Sequence, residues 1–187
     1  MNLQHKLAVT IASVLDDDTP KQDTNHILLT YGIEVFLNEF LKLAISLLIA
    51  WPMGLLPQAA FASVYLLLLR RYAGGRHFES NLVCSLFSFT VIVLFPGMGM
   101  HLLLPSEIRC ALIIRTIAVL AYVVPFLKKD EQMKNKETLK RKVITLFIYL
   151  IGLVIGYCLG GVPFLQVAIF VGATVAITAI GGSSKFK

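Results

Sequence analysis

LAISLLIAWPMGLLPQAAFASVYLLLL, residues 43–69, carries no charged side chain from end to end. A hydrocarbon core ~30 Å thick is crossed by about 20 helical residues, so the run is too long for one simple span. Pro52, Gly54 and Pro57 interrupt its middle. We read two segments joined at WPMGLLP, residues 51–57. The choice orients everything downstream. A single span would put Arg70, Arg71 and Arg76 on the side opposite every other cationic cluster. The second segment, about 58–70, is expected to be short and to penetrate only part of the bilayer.

Composition agrees with a membrane class. Of 187 residues, 57% are hydrophobic, and the mean hydropathy is +0.77, whereas soluble domains are about 45–50% apolar. Residues 1–20 hold Asp16, Asp17 and Asp18 and no long apolar stretch, so no cleaved leader is expected. The net charge of +6 is mainly topology information, because Lys and Arg collect on the cytoplasmic side. No nucleic-acid partner is expected, since there is no soluble basic domain. Three cysteines, Cys84, Cys110 and Cys158, form no disulfide framework. Cys110 and Cys158 lie in apolar runs and are expected to pack as small hydrophobes. No Cys/His cluster has ligand spacing, so neither a metal nor another cofactor is expected.

Working outward, residues 3–15 place Leu3, Leu7, Ile11 and Leu15 opposite Gln4, His5 and Thr10, the pattern of a helix lying on a membrane surface. A polar linker runs from Asp16 to Thr24. The first membrane segment opens at Ile27 and carries Glu34, Asn38, Glu39 and Lys42 early on. The third spans Leu82 to about Phe95, where PGMGM ends it, and His101–Pro105 forms an outer connection. The fourth runs from Glu107 to Leu127 and contains Arg109 and Arg115. The loop at 128–142 holds seven Lys/Arg and three acids. The fifth segment is Val143–Leu159, GGVP turns the chain, and the sixth is Phe164–Ile180. The fold class is therefore all-α: one polytopic membrane domain over 1–187, about six segments, with an N-terminal amphipathic helix. By the positive-inside rule the 128–142 loop, Arg70, Arg71, Arg76, Lys185, Lys187 and both termini are cytoplasmic.

RRYAGGRHFESNLVCSLF, residues 70–87, brings chemistry to that cytoplasmic edge. Ser80 or Asn81 is a good N-cap for the third segment, which puts Cys84 in its first turn. Free N–H groups there favour an ionised thiol. His77 lies seven residues before Cys84, about 10 Å away along a continuous helix and too far for proton transfer. It must sit on a loop that folds back, and Gly74 and Gly75 give the backbone freedom to do so. The bland alternatives are a packed cysteine, an ordinary interhelical turn, and arginines that only anchor topology, the last being the favoured reading for Arg71.

The block R-R-x-A-x-G-x-H, with Cys seven residues after His, resembles the accessory gene regulator B family, membrane cysteine endopeptidases of Gram-positive quorum sensing. YGIEVFLNEFLKL (31–43), YVVPFLKK (122–129), the length and the six-segment layout are also similar. The resemblance implies that Cys84 attacks a propeptide and His77 moves the proton. It implies a substrate with an amphipathic leader and an acidic tail, a thioester intermediate, and a cyclic thiolactone or lactone product. Arg70 would orient substrate or stabilise the oxyanion, with Gly75, Arg76, Ser80, Asn81 and Glu34 as further candidates. Lys128, Lys129, Lys140, Arg141 and Lys142 would draw the acidic tail. The expected location is a bacterial cell membrane, with lipid around the chain and a homodimer reasonable. The rival reading is a small transporter using Glu34, Glu39, Arg109 and Arg115 as a polar path.

Overall fold

The computed structural model describes residues 3–15, 24–73, 81–123 and 135–183. All secondary structure there is helical. The chain contacts divide into two compact units, 1–45 and 46–187, with the boundary inside one helix.

The first unit holds α1 (Leu3–Leu15) and most of α2 (Thr24–Ala50). Leu7 and Ile11 are exposed on α1, which fits the expected apolar stripe. On α2, Glu39 accepts from Lys42 Nζ at 3.0 Å, a pairing one turn along the helix.

The second unit begins at Ser46, inside α2, which stops at Ala50. Gly54, at φ +69°, lets its N–H reach the Trp51 carbonyl at 2.9 Å, while Leu55 N–H reaches the Ala50 carbonyl at 3.0 Å. This pair of bonds closes a helix C-terminus around a left-handed glycine. α3 (Leu56–Ala73) follows at once, with Pro57 in a first turn that needs no donor. The expected break at WPMGLLP is thus present. The second segment is longer than expected, however. Its 18 residues rise about 27 Å, because Arg70 and Arg71 are good helix formers and carry the helix on.

The third segment departs further from expectation. α4 (Asn81–Phe89) passes through a π-helical turn (Thr90–Leu94) into α5 (Phe95–His101). PGMGM therefore does not end the helix. A proline inside an α-helix lacks a donor and its ring crowds the carbonyl four residues back. The π turn relaxes that constraint, with Phe95 N–H bonding to the Thr90 carbonyl. Pro96 then falls in the opening turn of α5.

α6 (Ser106–Val123) comes next, then α7 (Asn135–Ser183). The basic stretch expected as loop to residue 142 is helical from Asn135 onward, being rich in Lys, Glu and Arg. α7 is broken at Gly160 and Gly161, the latter at φ +66° and ψ −142°, where the sequence placed its GGVP turn. Its two arms, 135–159 and 162–183, run antiparallel. Tyr149 of the first faces Gly172 of the second, and Gly156 faces the Phe164 carbonyl.

Ring-into-glycine packing holds the middle of the unit. A Cβ added at Gly152 would collide with the Tyr65 ring of α3, and one at Gly172 with the Tyr149 ring. Small residues that let partners approach closely are the usual adhesive between membrane helices. Tyr65 also donates to the Tyr149 carbonyl at 3.0 Å. Leu69, Leu120, Val91, Val167, Ile169 and Val171 complete a fully buried core. Ser63, Thr145 and Thr174 bond to carbonyls four residues back on their own helices, so their hydroxyls need no outside partner. Two stretches, Val83–His101 and Leu139–Ala179, are long and apolar enough to cross a bilayer. The second is 41 residues, about 60 Å as a straight helix and twice a ~30 Å core, and its glycine break divides it in two.

Candidate functional site

The contacts sort the second unit into two ends. Gln58 at the start of α3 bonds Met100 Sδ at 3.2 Å, and Gln166 bonds the Leu102 carbonyl at 2.8 Å. That end holds the turns at 51–55, 102–105 and 160–161, none of which contains Lys or Arg. At the other end lie Arg70 and Arg71, closing α3, and Lys140 and Arg141, near the start of α7.

Cys84 sits at this basic end, four residues into α4. It is buried, at 5% exposure. The buried face of α4 and the π turn runs Cys84, Ser88, Val91, the spacing of one helical stripe. Phe87 stands one turn from Cys84, and the Arg70 guanidinium lies over its ring, 5.1 Å from the centroid. Cation and ring attract at that distance. The structure thus brings Arg70, the arginine singled out from the sequence, onto the helix that carries the thiol.

The other expected site residues divide as follows. Gly75, Arg76, His77 and Ser80 lie outside the described residues, as do Lys128 and Lys129. Asn81 is the first residue of α4, at the expected helix start. Glu34 belongs to the first unit, on α2. Lys140 and Arg141 meet Arg71, Tyr72 and Ile144 around a cavity of about 400 Å³, and Lys142 is half-buried beside them in sequence. The cavity assigns Arg71 a place that sequence reasoning missed, having read it as an anchor. No local pattern ties residue 71 to residue 140; only the antiparallel packing of α3 on α7 does.

One further expectation changes. Cys110 and Cys158 are exposed rather than packed inside the chain, because each points outward from its helix toward the surroundings of the bundle. Arg115, which the rival reading puts on a polar path with Glu34, Glu39 and Arg109, lines a smaller cavity of about 130 Å³ with Leu112, Thr116, Val119, Ala173, Ala176 and Ile177. None of these is acidic.

An all-helical unit of apolar surface, with uncharged turns at one end and a buried thiol at the basic other end, defines an integral membrane protein. Comparison with known proteins narrows the class. The family model described as accessory gene regulator B matches residues 6–180, and the chain belongs to that family. An accessory gene regulator protein B of Staphylococcus haemolyticus is 24% identical over 144 residues, covering 77% of this chain and 76% of that protein. An AgrB-like protein of Listeria welshimeri is 30% identical over 156 residues, 79% of this chain and 74% of the relative. Another, from Listeria innocua, is 36% identical over 92 residues, 48% of this chain; the match spans 45% of that relative's length. No solved structure matches. Family membership implies a role in the accessory gene regulator quorum-sensing system.

Proposed function

We propose that the chain is a membrane-embedded cysteine endopeptidase that removes the acidic tail of a small quorum-sensing propeptide and passes the remainder on as a thioester. The observation that carries this reading is Cys84: buried, in the first turn of α4, one turn before the Phe87 ring on which the Arg70 guanidinium lies.

Cys84 sulfur attacks the carbonyl that joins signal sequence to tail. His77 takes the thiol proton and delivers it to the nitrogen as the C–N bond breaks. The tail leaves as a free amine, and a thioester links the peptide to Cys84. A thiol or hydroxyl within the peptide then attacks that thioester, closes a ring, and restores the Cys84 thiol. Exchange between two thioesters is nearly balanced, whereas direct conversion of an amide to a thiolactone is uphill. The intermediate must be kept from water, and a thiol at 5% exposure suits that need. Arg70, whose guanidinium lies over Phe87 on the helix of Cys84, is the candidate to orient a substrate carbonyl or stabilise an oxyanion. Asn81 and Glu34 are further candidates for substrate contact. The cationic stretch at 128–142 raises the local concentration of an acidic tail, an attraction that salt weakens.

In this reading six segments cross a bacterial cell membrane, with both termini and the basic end in the cytoplasm. The test is co-expression with a candidate acidic-tailed propeptide and mass measurement of the peptide. Cys84→Ala and His77→Ala should each leave the tail attached. Processing that survives both changes would refute the proposal.

A further inference from the structure

The cavity between α3 and α7 is cationic on its walls and opens onto apolar surface. Arg71, Lys140 and Arg141 supply three positive charges, Tyr72 a phenol, and Ile144 an apolar floor, with no acid among the described lining residues. The two helices continue away from it in matched fashion. On α3, Val64, Leu67 and Leu68 are 59%, 59% and 45% exposed. They stand seven, four and three residues before Arg71, and so on the same face of the helix. On α7, Val143, Phe147 and Ile151 are 57%, 62% and 39% exposed, at spacings of three, seven and eleven from Lys140. Each cation thus heads an uncovered apolar stripe.

We propose that this cavity binds the phosphate headgroup of an anionic phospholipid, with the acyl chains lying along the two stripes. A headgroup phosphate carries the charge that three cations and a phenol attract, and a volume of about 400 Å³ admits it. The stripes decide between occupants. An acidic peptide or a free phosphate would use the cations and leave the exposed aliphatic surface unused; a lipid uses both. Basic pockets at the ends of membrane helices are suited to anionic headgroups, each cation adding roughly fivefold to affinity. The proposal does not depend on peptidase chemistry, and the Cys84→Ala protein should bind lipid equally well.

The test uses the full-length protein purified in a neutral detergent, with thermal midpoint as readout. Phosphatidylglycerol or cardiolipin should raise the midpoint in a saturable way. Phosphatidylcholine, inorganic phosphate and a decaglutamate peptide should not. Arg71→Gln with Lys140→Gln should weaken phosphatidylglycerol about 25-fold, two steps of roughly five, whereas Arg109→Gln, at the other end, should change nothing. Leu67→Ser with Phe147→Ser should weaken the lipid several-fold through the stripes alone. If the variants do not fold, native mass spectrometry of the unaltered protein in an equal mixture of phosphatidylglycerol and phosphatidylcholine decides: selective retention of the anionic lipid supports the proposal, equal retention overturns it. Stabilisation by decaglutamate that displaces phosphatidylglycerol would overturn it in favour of a peptide occupant.

Discussion

At mid-bundle, Tyr65 and Tyr149 fill slots cut by Gly152 and Gly172, and three helical segments touch with no room for a methyl group. At the basic end, Arg70 rests on Phe87 and the cations of α3 and α7 stand around an open cavity. The middle is closed by shape, and a change of one carbon there must move a helix. The basic end is held by charge and rings at longer range, where side chains can be exchanged without moving backbone. Under the proposed function, stability and chemistry fall to different residues of the same helices: α3 contributes Tyr65 to one and Arg70 to the other, less than two turns apart.

The sharpest test of that division is Cys84→Ala. It should abolish tail removal, by at least about a thousandfold if the thiol is the nucleophile. The thermal midpoint should fall only slightly, the loss of one small buried side chain being worth about 1 kcal/mol. Gly172→Leu, or Gly152→Leu, should do the converse. Each inserts a side chain where the tyrosine ring already stands, costing about 3 kcal/mol or more, and folded protein recovered from membranes should drop steeply. Arg70→Ala should lower processing roughly tenfold to a hundredfold with the midpoint nearly unchanged, Arg70→Lys recovering part of it. Tyr65→Phe keeps the ring and loses the bond to the Tyr149 carbonyl. It should cost about 1 kcal/mol of stability and leave processing intact. Smallest of all, Gln166→Leu removes a bond to Leu102 together with a buried oxygen that has no partner, two effects that offset to within about 1 kcal/mol. An activity loss at Gly172 without loss of fold, or a fold loss at Arg70, would dissolve the contrast.

Two proline–glycine stretches show how far the sequence could be read. GGVP breaks α7 and PGMGM does not break the third segment, although both look like turns. Gly161 adopts a backbone conformation that only glycine tolerates, so the chain must turn there. Pro96 is absorbed because Thr90–Leu94 widens into a π turn, a rearrangement set by how α5 seats against its neighbours: a Cβ added at Gly99 would lie within 3.1 Å of the Pro163 carbonyl oxygen. Local punctuation was legible wherever backbone conformation alone decided it, as at Gly54. It was misleading where packing decided. The site follows the same rule. The start of α4 and the place of Cys84 within its first turn could be read from Asn81 and the apolar run. The meeting of Arg71 with Lys140 could not, since 69 positions of chain separate them and only the crossing of α3 and α7 joins them.

The glycine break in α7 also bears on how the protein is made. Only two non-helical residues, Gly160 and Gly161, separate the arms, too few for the first arm to settle before the second emerges. Gly172, the slot for Tyr149, is synthesised 23 residues later, so the first arm leaves the ribosome with its aromatic ring unhoused. A chain stopped at residue 159 would lack Gly172, and the Tyr149 ring would have no slot to fill.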